Sequence, residues 1–223
     1  MTTRQLYQRE LEKLHKEMGR MVDLVGTSIE RSIEALKSHD IEMAKRIILD
    51  DDIIDTQEQI IERHCINLIA TQSPLASDLR YITMALKATT DLERIADHAS
   101  DIAEITLELG NEKHIKPLVD IPKMADATRS MVNTAIRAYI RQDMAMALEV
   151  CKSDDVVDDL FARIVTELTG IMKDHPETVD QAIKLMFISK YLERMADHAT
   201  NIGEWVVYMV TGEHKHLTHK LED

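Results

Sequence analysis

Glycine, proline and aromatic residues are all scarce in this chain, with 6 Gly, 4 Pro and 4% aromatics in 223 residues. Sheet architectures draw on turn residues and on aromatic and β-branched side chains, so this shortage argues against a β-rich fold. Cysteine is nearly missing as well. Cys65 and Cys151 stand alone, at non-equivalent places in apolar surroundings, which excludes a disulfide framework and leaves two packed, reduced thiols. There is no basic cluster. Lys and Arg number 27 against 40 Asp and Glu, a formal charge of −13. That balance disfavours nucleic acid and anionic membrane surfaces, and favours cations or a basic protein face. No apolar run approaches the ~18 residues of a membrane span. The opening MTTRQLYQRELEKL is polar and lacks an apolar core, so it does not read as a secretory signal.

What is present suits helices. Apolar residues make up 44% of the chain, with Ala, Leu, Ile, Met, Glu and Lys prominent. A period of 3.6 runs through Leu11, Leu14, Met18, Met21, Val22, Val25, Ile29, Ile33 and Leu36, predicting a first helix over 7–37. Ser38-His39-Asp40 breaks it, and Asp40 is placed to cap a second helix over 41–70. Thr71-Gln72-Ser73-Pro74 precedes a third helix, which starts at Pro74 or Leu75 and runs to Leu109 before Gly110-Asn111. After a polar linker at 111–117 the order repeats, with helices predicted over 118–141, 144–172 and 177–210. Gln142-Asp143 stands where His39-Asp40 stood, and Lys173-Asp174-His175-Pro176 matches the break at Pro74.

One long amphipathic helix cannot bury its stripe alone, whereas three joined by short loops can. The expectation is an all-α chain of six long helices in two tandem, similar three-helix bundles. The first covers 1–110 and the second 111–213, with 214–223 a polar tail. A single mixed six-helix bundle is the alternative.

The repeat carries chemistry. DLERIADHASDIAE at 91–104 returns at 191–204 as YLERMADHATNIGE. Glu93, Asp97 and Asp101 are spaced by four on the third helix; Glu193, Asp197 and Asn201 are spaced likewise on the sixth. Four residues is about one turn, so each set forms a row. On the second helix Asp51 falls between Ile47 and Ile54 on the inward stripe, with Asp55 one turn on. Asp154 and Asp158 hold the matching places on the fifth helix. Glu58 also lies on the inward stripe, but its counterpart is Phe161.

Carboxylates facing each other from two helices repel and are costly to desolvate, and a bound cation relieves both costs. Hard oxygen donors suit Mg²⁺, Mn²⁺ or iron. The candidate ligands are thus Asp51, Asp55, Glu93, Asp97 and Asp101 in one half, and Asp154, Asp158, Glu193, Asp197 and Asn201 in the other. Asn201 offers an oxygen without charge. His98 and His198 follow the aspartates and point about 100° away from them, so a supporting hydrogen bond or an exposed ring suits them better than ligation. Arg94 and Arg194 read as surface ion-pairing residues. A plain solvated acidic ridge is the competing reading, and the matched duplication counts against it.

The paired motifs Glu93-Arg94-Ile95-Ala96-Asp97 and Glu193-Arg194-Met195-Ala196-Asp197 match the E(D)xxxD signature of the PhoU family, which the chain resembles along nearly its whole length. The resemblance implies two three-helix bundles and multinuclear clusters of iron, zinc or other divalent metals on the bundle surface. It further implies a cytoplasmic negative regulator of high-affinity phosphate uptake and phosphate-responsive genes. The partners implied are the phosphate transporter ATPase and a sensor histidine kinase, with a homodimer or higher oligomer. An enzyme is the alternative: a carboxylate-bridged phosphate-ester hydrolase or oxidase. Di-iron oxidase bundles use Glu-x-x-His, and none joins these rows; His98 is five residues past Glu93. No Ser or Cys triad is visible.

Overall fold

A computed structural model describes residues 3–213. The polar tail expected at 214–223 lies outside the described residues. Six helices follow in order: α1 Thr3–Ser38, α2 Ile41–Gln72, α3 Ala76–Leu109, α4 Asp120–Arg141, α5 Met144–Asp174 and α6 Val179–Thr211. Among the described residues, no helix is long and apolar enough to cross a membrane.

The predicted boundaries hold to within a few residues, and the differences have local causes. The first helix reaches back to Thr3, four residues before its predicted start at Tyr7. Pro74 and Leu75 stay outside α3, because Ser73 turns left-handed at φ 46° and Leu75 is extended. The fourth helix opens at Asp120 rather than 118. Asp120 is nearly buried there, held by Lys123 at 3.1 Å and by Arg163 of α5 at 2.9 Å. Before α6, Pro176–Thr178 tightens into a single 3₁₀ turn, so the helix proper begins at Val179. Proline at the head of that turn lacks only an N–H that would go unpaired.

The repeat is plain at the two helix–helix corners. His39 and Gln142 both take left-handed backbone, at φ 55° and 51°, and an aspartate follows each. Asp40 accepts from the Met43 amide at 2.9 Å; Asp143 accepts from Ala145 and Met146 at 2.9 and 3.1 Å. Each carboxylate satisfies amides that the first turn leaves open, and lies at the positive end of the helix dipole. Asp40→Ala and Asp143→Ala are each expected to cost about 1 kcal/mol, seen as a lower urea midpoint at unchanged m value.

Within each half the three helices pack on one another. The outer helices α2 and α5 each touch their own bundle, while α3 and α6 also pack together along their length and α1 meets α4. One apolar core therefore runs through both bundles, including Leu14, Met18, Ile82, Leu92, Ile95, Met124, Tyr139, Leu185, Leu192 and Met195. The α3–α6 contacts show an antiparallel pairing. Arg80 reaches the Met209 carbonyl, Lys87 lies over the Trp205 ring, His98 stacks on Tyr191, and Lys184 approaches Glu108. The two copies of the motif thus meet near the middle of the pair, with the His98 and His198 ring centroids 6.0 Å apart.

The linker after Gly110 is tied down rather than free. The Ile115 amide donates to Gln181 Oε1 at 2.6 Å, and Gln181 Nε2 donates to the Lys113 carbonyl at 3.2 Å. His114 bonds the Leu36 carbonyl at 3.0 Å and stacks on His39 at 4.2 Å, and Lys116 pairs with Glu167. The connection is a strap joining the end of α1 to α5 and α6.

Candidate metal centre

Two acidic clusters form, one per bundle, where α2 meets α3 and where α5 meets α6. Their residues reach the rim of the core because each helix carries apolar side chains on either side of the acids. On α2 the flanking residues are Ile47 and Ile54; on α5 they are Val150 and Val157; all four are buried. On α3 and α6 the acids ride beside Leu92, Ile95, Ala96, Leu192, Met195 and Ala196, which are fully buried. Packing of the apolar stripes therefore pulls carboxylates inward with them.

Their protonation shows the strain. Burial pushes the Asp51 carboxyl up to about 6, and the charges of Asp97 and Asp55 add to it; the adjacent Ser100 hydroxyl works the other way. Glu93 is pushed up to about 7 by burial and by Asp97, against the pull of Arg94, with smaller contributions from Glu58 and Asp55. In the second half, burial raises Asp154 to about 7, reinforced by Asp158, Asp197 and Glu193. Asp197 is raised as well, by loss of water around its carboxyl and by Glu193. A shift with these causes marks negative charge in excess of what the protein neutralises.

Part of that excess is met by side-chain cations, and differently in each half. Arg94 reaches Glu93 at 3.4 Å and Asp97 at 2.9 Å. In the second bundle it is Lys190 that lies 2.6 Å from Glu193 Oε1, one turn before the motif and over the Phe161 ring. The Glu58/Phe161 difference follows: Phe161 supplies a face for the Lys190 cation, while Glu58 adds a fifth acid to the first cluster. As placed, no three His, Cys, Asp or Glu side chains among the described residues form a group that could hold an ion.

In donor type, these carboxylates are what an oxygen-preferring cation takes. Carboxylates from facing helices raise one another, and Asp154 Oδ1 is buried with no hydrogen-bond partner. Asp51, Asp55, Glu93 and Asp97 are brought together on one side, and Asp154, Asp158, Glu193 and Asp197 on the other. Asp101 stands apart from its row. Its carboxylate is 3.0 Å from His98 Nδ1, and it bears on the charge of Tyr191 across the bundle interface. Asn201 is exposed. His98 is buried and supports Asp101, in keeping with a role in holding an acid. His198 instead bonds Asp91 at 2.9 Å, linking α6 to α3.

The sequence places Glu58 on the inward stripe but leaves it out of the ligand set, since its counterpart is Phe161; spacing alone overlooks the matched hydroxyls Ser100 and Thr200. Both hydroxyls are buried beside the motif, and the Thr200 oxygen has no hydrogen-bond partner. Both thiols are inert, pushed by burial to about 12 for Cys65 and about 11 for Cys151.

Comparison with known proteins finds the same doubling of one helical unit. The sequence pattern of the PhoU domain matches twice, at residues 18–106 and 121–206. The chain is 42% identical over 212 residues to the phosphate-specific transport system accessory protein PhoU homolog of Clostridium acetobutylicum, covering 95% of this chain and 97% of that one. Its counterpart in Aquifex aeolicus is 38% identical, over 96% and 98% of the two chains. Among solved structures, the crystal structure of PhoU from Pseudomonas aeruginosa superposes with a TM-score of 0.87 at 32% identity, covering 93% of this chain and 100% of that one. The phosphate transport system regulatory protein PhoU from Streptococcus pneumoniae gives 0.87 at 30%, covering 94% and 99%.

Proposed function

Because the chain belongs to the PhoU family, we propose that it is an accessory protein of phosphate transport that restrains high-affinity uptake and phosphate-responsive signalling. The observation that carries this reading is the doubled PhoU domain spanning both bundles, with an acid cluster at the same place in each. It acts as an adaptor, holding the transporter ATPase and a membrane sensor kinase in a quiescent state when phosphate is plentiful. Its own work involves no catalytic turnover, it resides in the cytoplasm, and it assembles as a homodimer.

The metal belongs to the same reading. Asp51, Asp55, Glu93 and Asp97 would hold ions on the first bundle, with Asp154, Asp158, Glu193 and Asp197 on the second; iron, zinc, manganese and magnesium all suit oxygen donors. A bound ion supplies positive charge that offsets the repulsion between α2 and α3, or between α5 and α6. The residues themselves do the positioning: the exposed cations Arg94 and Lys190 hold the glutamates of each cluster. His98 keeps Asp101 turned toward the bundle interface.

The test joins two measurements on native, tagged protein taken from cells grown at high and at low phosphate. Elemental analysis is expected to find divalent metal in both samples. Pull-down is expected to retain the ATPase and the kinase at high phosphate. Recovery of neither partner at either phosphate level, from protein that is folded and metal-loaded, refutes the adaptor role.

A further inference from the structure

The strap between the bundles lines a concave pocket of about 590 Å³ whose walls are Lys37, His39, Lys113, His114, Ile115, Lys116, Pro117 and Leu118. Three lysines and two histidines line it, and no carboxylate does. In a chain carrying −13 this concentration of positive charge is out of keeping with its surroundings. Two acids stand behind the wall: Glu34 pairs with Lys37, and Glu167 pairs with Lys116. Lys113 has no acidic partner among the described residues, which leaves the pocket with a net positive charge.

The imidazoles add directional groups. His114 Nε2 faces the Leu36 carbonyl and His39 Nδ1 faces the Gly110 carbonyl, so each of these nitrogens carries the hydrogen. That leaves His114 Nδ1 buried without a partner. Burial, and then the neighbouring His39, hold His114 below the usual imidazole range, so it is neutral with the pocket empty. An anion in the pocket reverses the balance, because its charge stabilises the protonated ring.

From the charge, the orphaned nitrogen and the volume, we propose that this pocket binds a phosphate-bearing small anion. Lysines converging as point charges suit a multiply charged oxyanion, and the volume lies within the range of small-molecule sites. The bound anion bridges Lys37, at the end of α1, to Lys113 and Lys116 on the strap. Gln181 fixes the strap to α6, so occupancy locks the joint between the two bundles. This site stands apart from the acid clusters and from the adaptor role: each can fail without the other.

Titration calorimetry on the full chain tests it, with pyrophosphate, inorganic phosphate and ATP as probes at fixed ionic strength and sulfate as a control. At least one phosphate probe is expected to bind with a Kd below about 1 mM, and more tightly than sulfate. Binding of inorganic phosphate assigns the free anion, and binding of ATP alone assigns a phosphate ester. Replacing Lys37 and Lys113 together by glutamine is expected to weaken binding at least about tenfold, with melting unchanged to within about 2 °C. Should the pair lower the melting temperature further, Lys113→Gln alone, at an exposed and unpaired position, is expected to weaken binding by several-fold. The proposal is overturned if no phosphate probe binds below that limit. It is equally overturned if sulfate binds as well, or if the folded lysine variant binds with wild-type affinity.

Discussion

A divalent cation in hundredfold excess over its Kd at both clusters is expected to raise the melting temperature of the chelator-stripped protein by roughly 10–20 °C, and Asp154→Asn is expected to forfeit about half of that rise. Binding at that excess contributes about 2.7 kcal/mol per site, which for a domain of this size corresponds to several degrees. The stripped protein shows the reverse side of the same charge. The Asp154 carboxyl is held at about 7 in the fold, first by burial and then by Asp158, Asp197 and Glu193, against about 4 in the unfolded chain. Between those values the native state binds the extra proton, so stability contributed at this residue falls as pH rises from about 4 to about 7. The half-buried histidines His15 and His114 act oppositely, because burial lowers both and the unfolded chain takes up their protons below about 6.5. The clean comparison is therefore wild type against Asp154→Asn without metal. From pH 6 to pH 8 the variant is expected to gain about 1 kcal/mol on the wild type, or roughly 3 °C. Differential scanning calorimetry in chelator, then with manganese or iron(II), reads both effects. Equal metal-induced shifts in wild type and variant would remove Asp154 from the ion site.

Leu192→Ala is expected to cost about 2–5 kcal/mol and to lower the melting temperature by roughly 10 °C. Leu192 is fully buried in the motif helix α6, in the core common to both bundles, and its carbonyl accepts from Thr128 of α4. Truncation leaves a cavity where α4 and α6 meet, and flanking residues such as Met195 and Ala196 sit on a rigid helix that cannot collapse into it. Leu92→Ala, at the matching place in α3, is expected to behave alike. Urea titration of the two variants and their combination measures each loss. A cost below about 1 kcal/mol would show that the shared core is less continuous than the structure has it.

Much of this was legible before any coordinates. The 3.6 period named the core of α1 almost residue by residue, and the paired breaks at His39-Asp40 and Gln142-Asp143 became paired left-handed corners with aspartate caps. Asp51 and Asp154 could be placed inward because apolar residues bracket them on the same stripe. Other features leave no periodic trace. Spacing by four drifts about 40° per step around a helix, so Asp101, two steps past Glu93, faces His98 and the bundle interface instead of the acids of α2. Lys190, the cation of the second cluster, has no counterpart in the Arg94 position that its repeat suggests. The strap at 111–119 reads as a polar linker because its bonds run to Leu36, Glu167 and Gln181, dozens of residues distant.

The antiparallel embrace of α3 and α6 has a consequence for how such a molecule could arise. Each bundle presents to the other nearly the same stripe, centred on the same Leu-Glu-Arg-x-Ala-Asp-His-Ala, and the two run in opposite directions about a near two-fold axis. That is the geometry of an isologous dimer written into a single polypeptide. A chain of half this length would leave its motif helix bare and would find its cover in a second copy of itself. The present arrangement fixes that pairing covalently, and so lets the two copies diverge, as Asn201 has from Asp101 and Phe161 from Glu58.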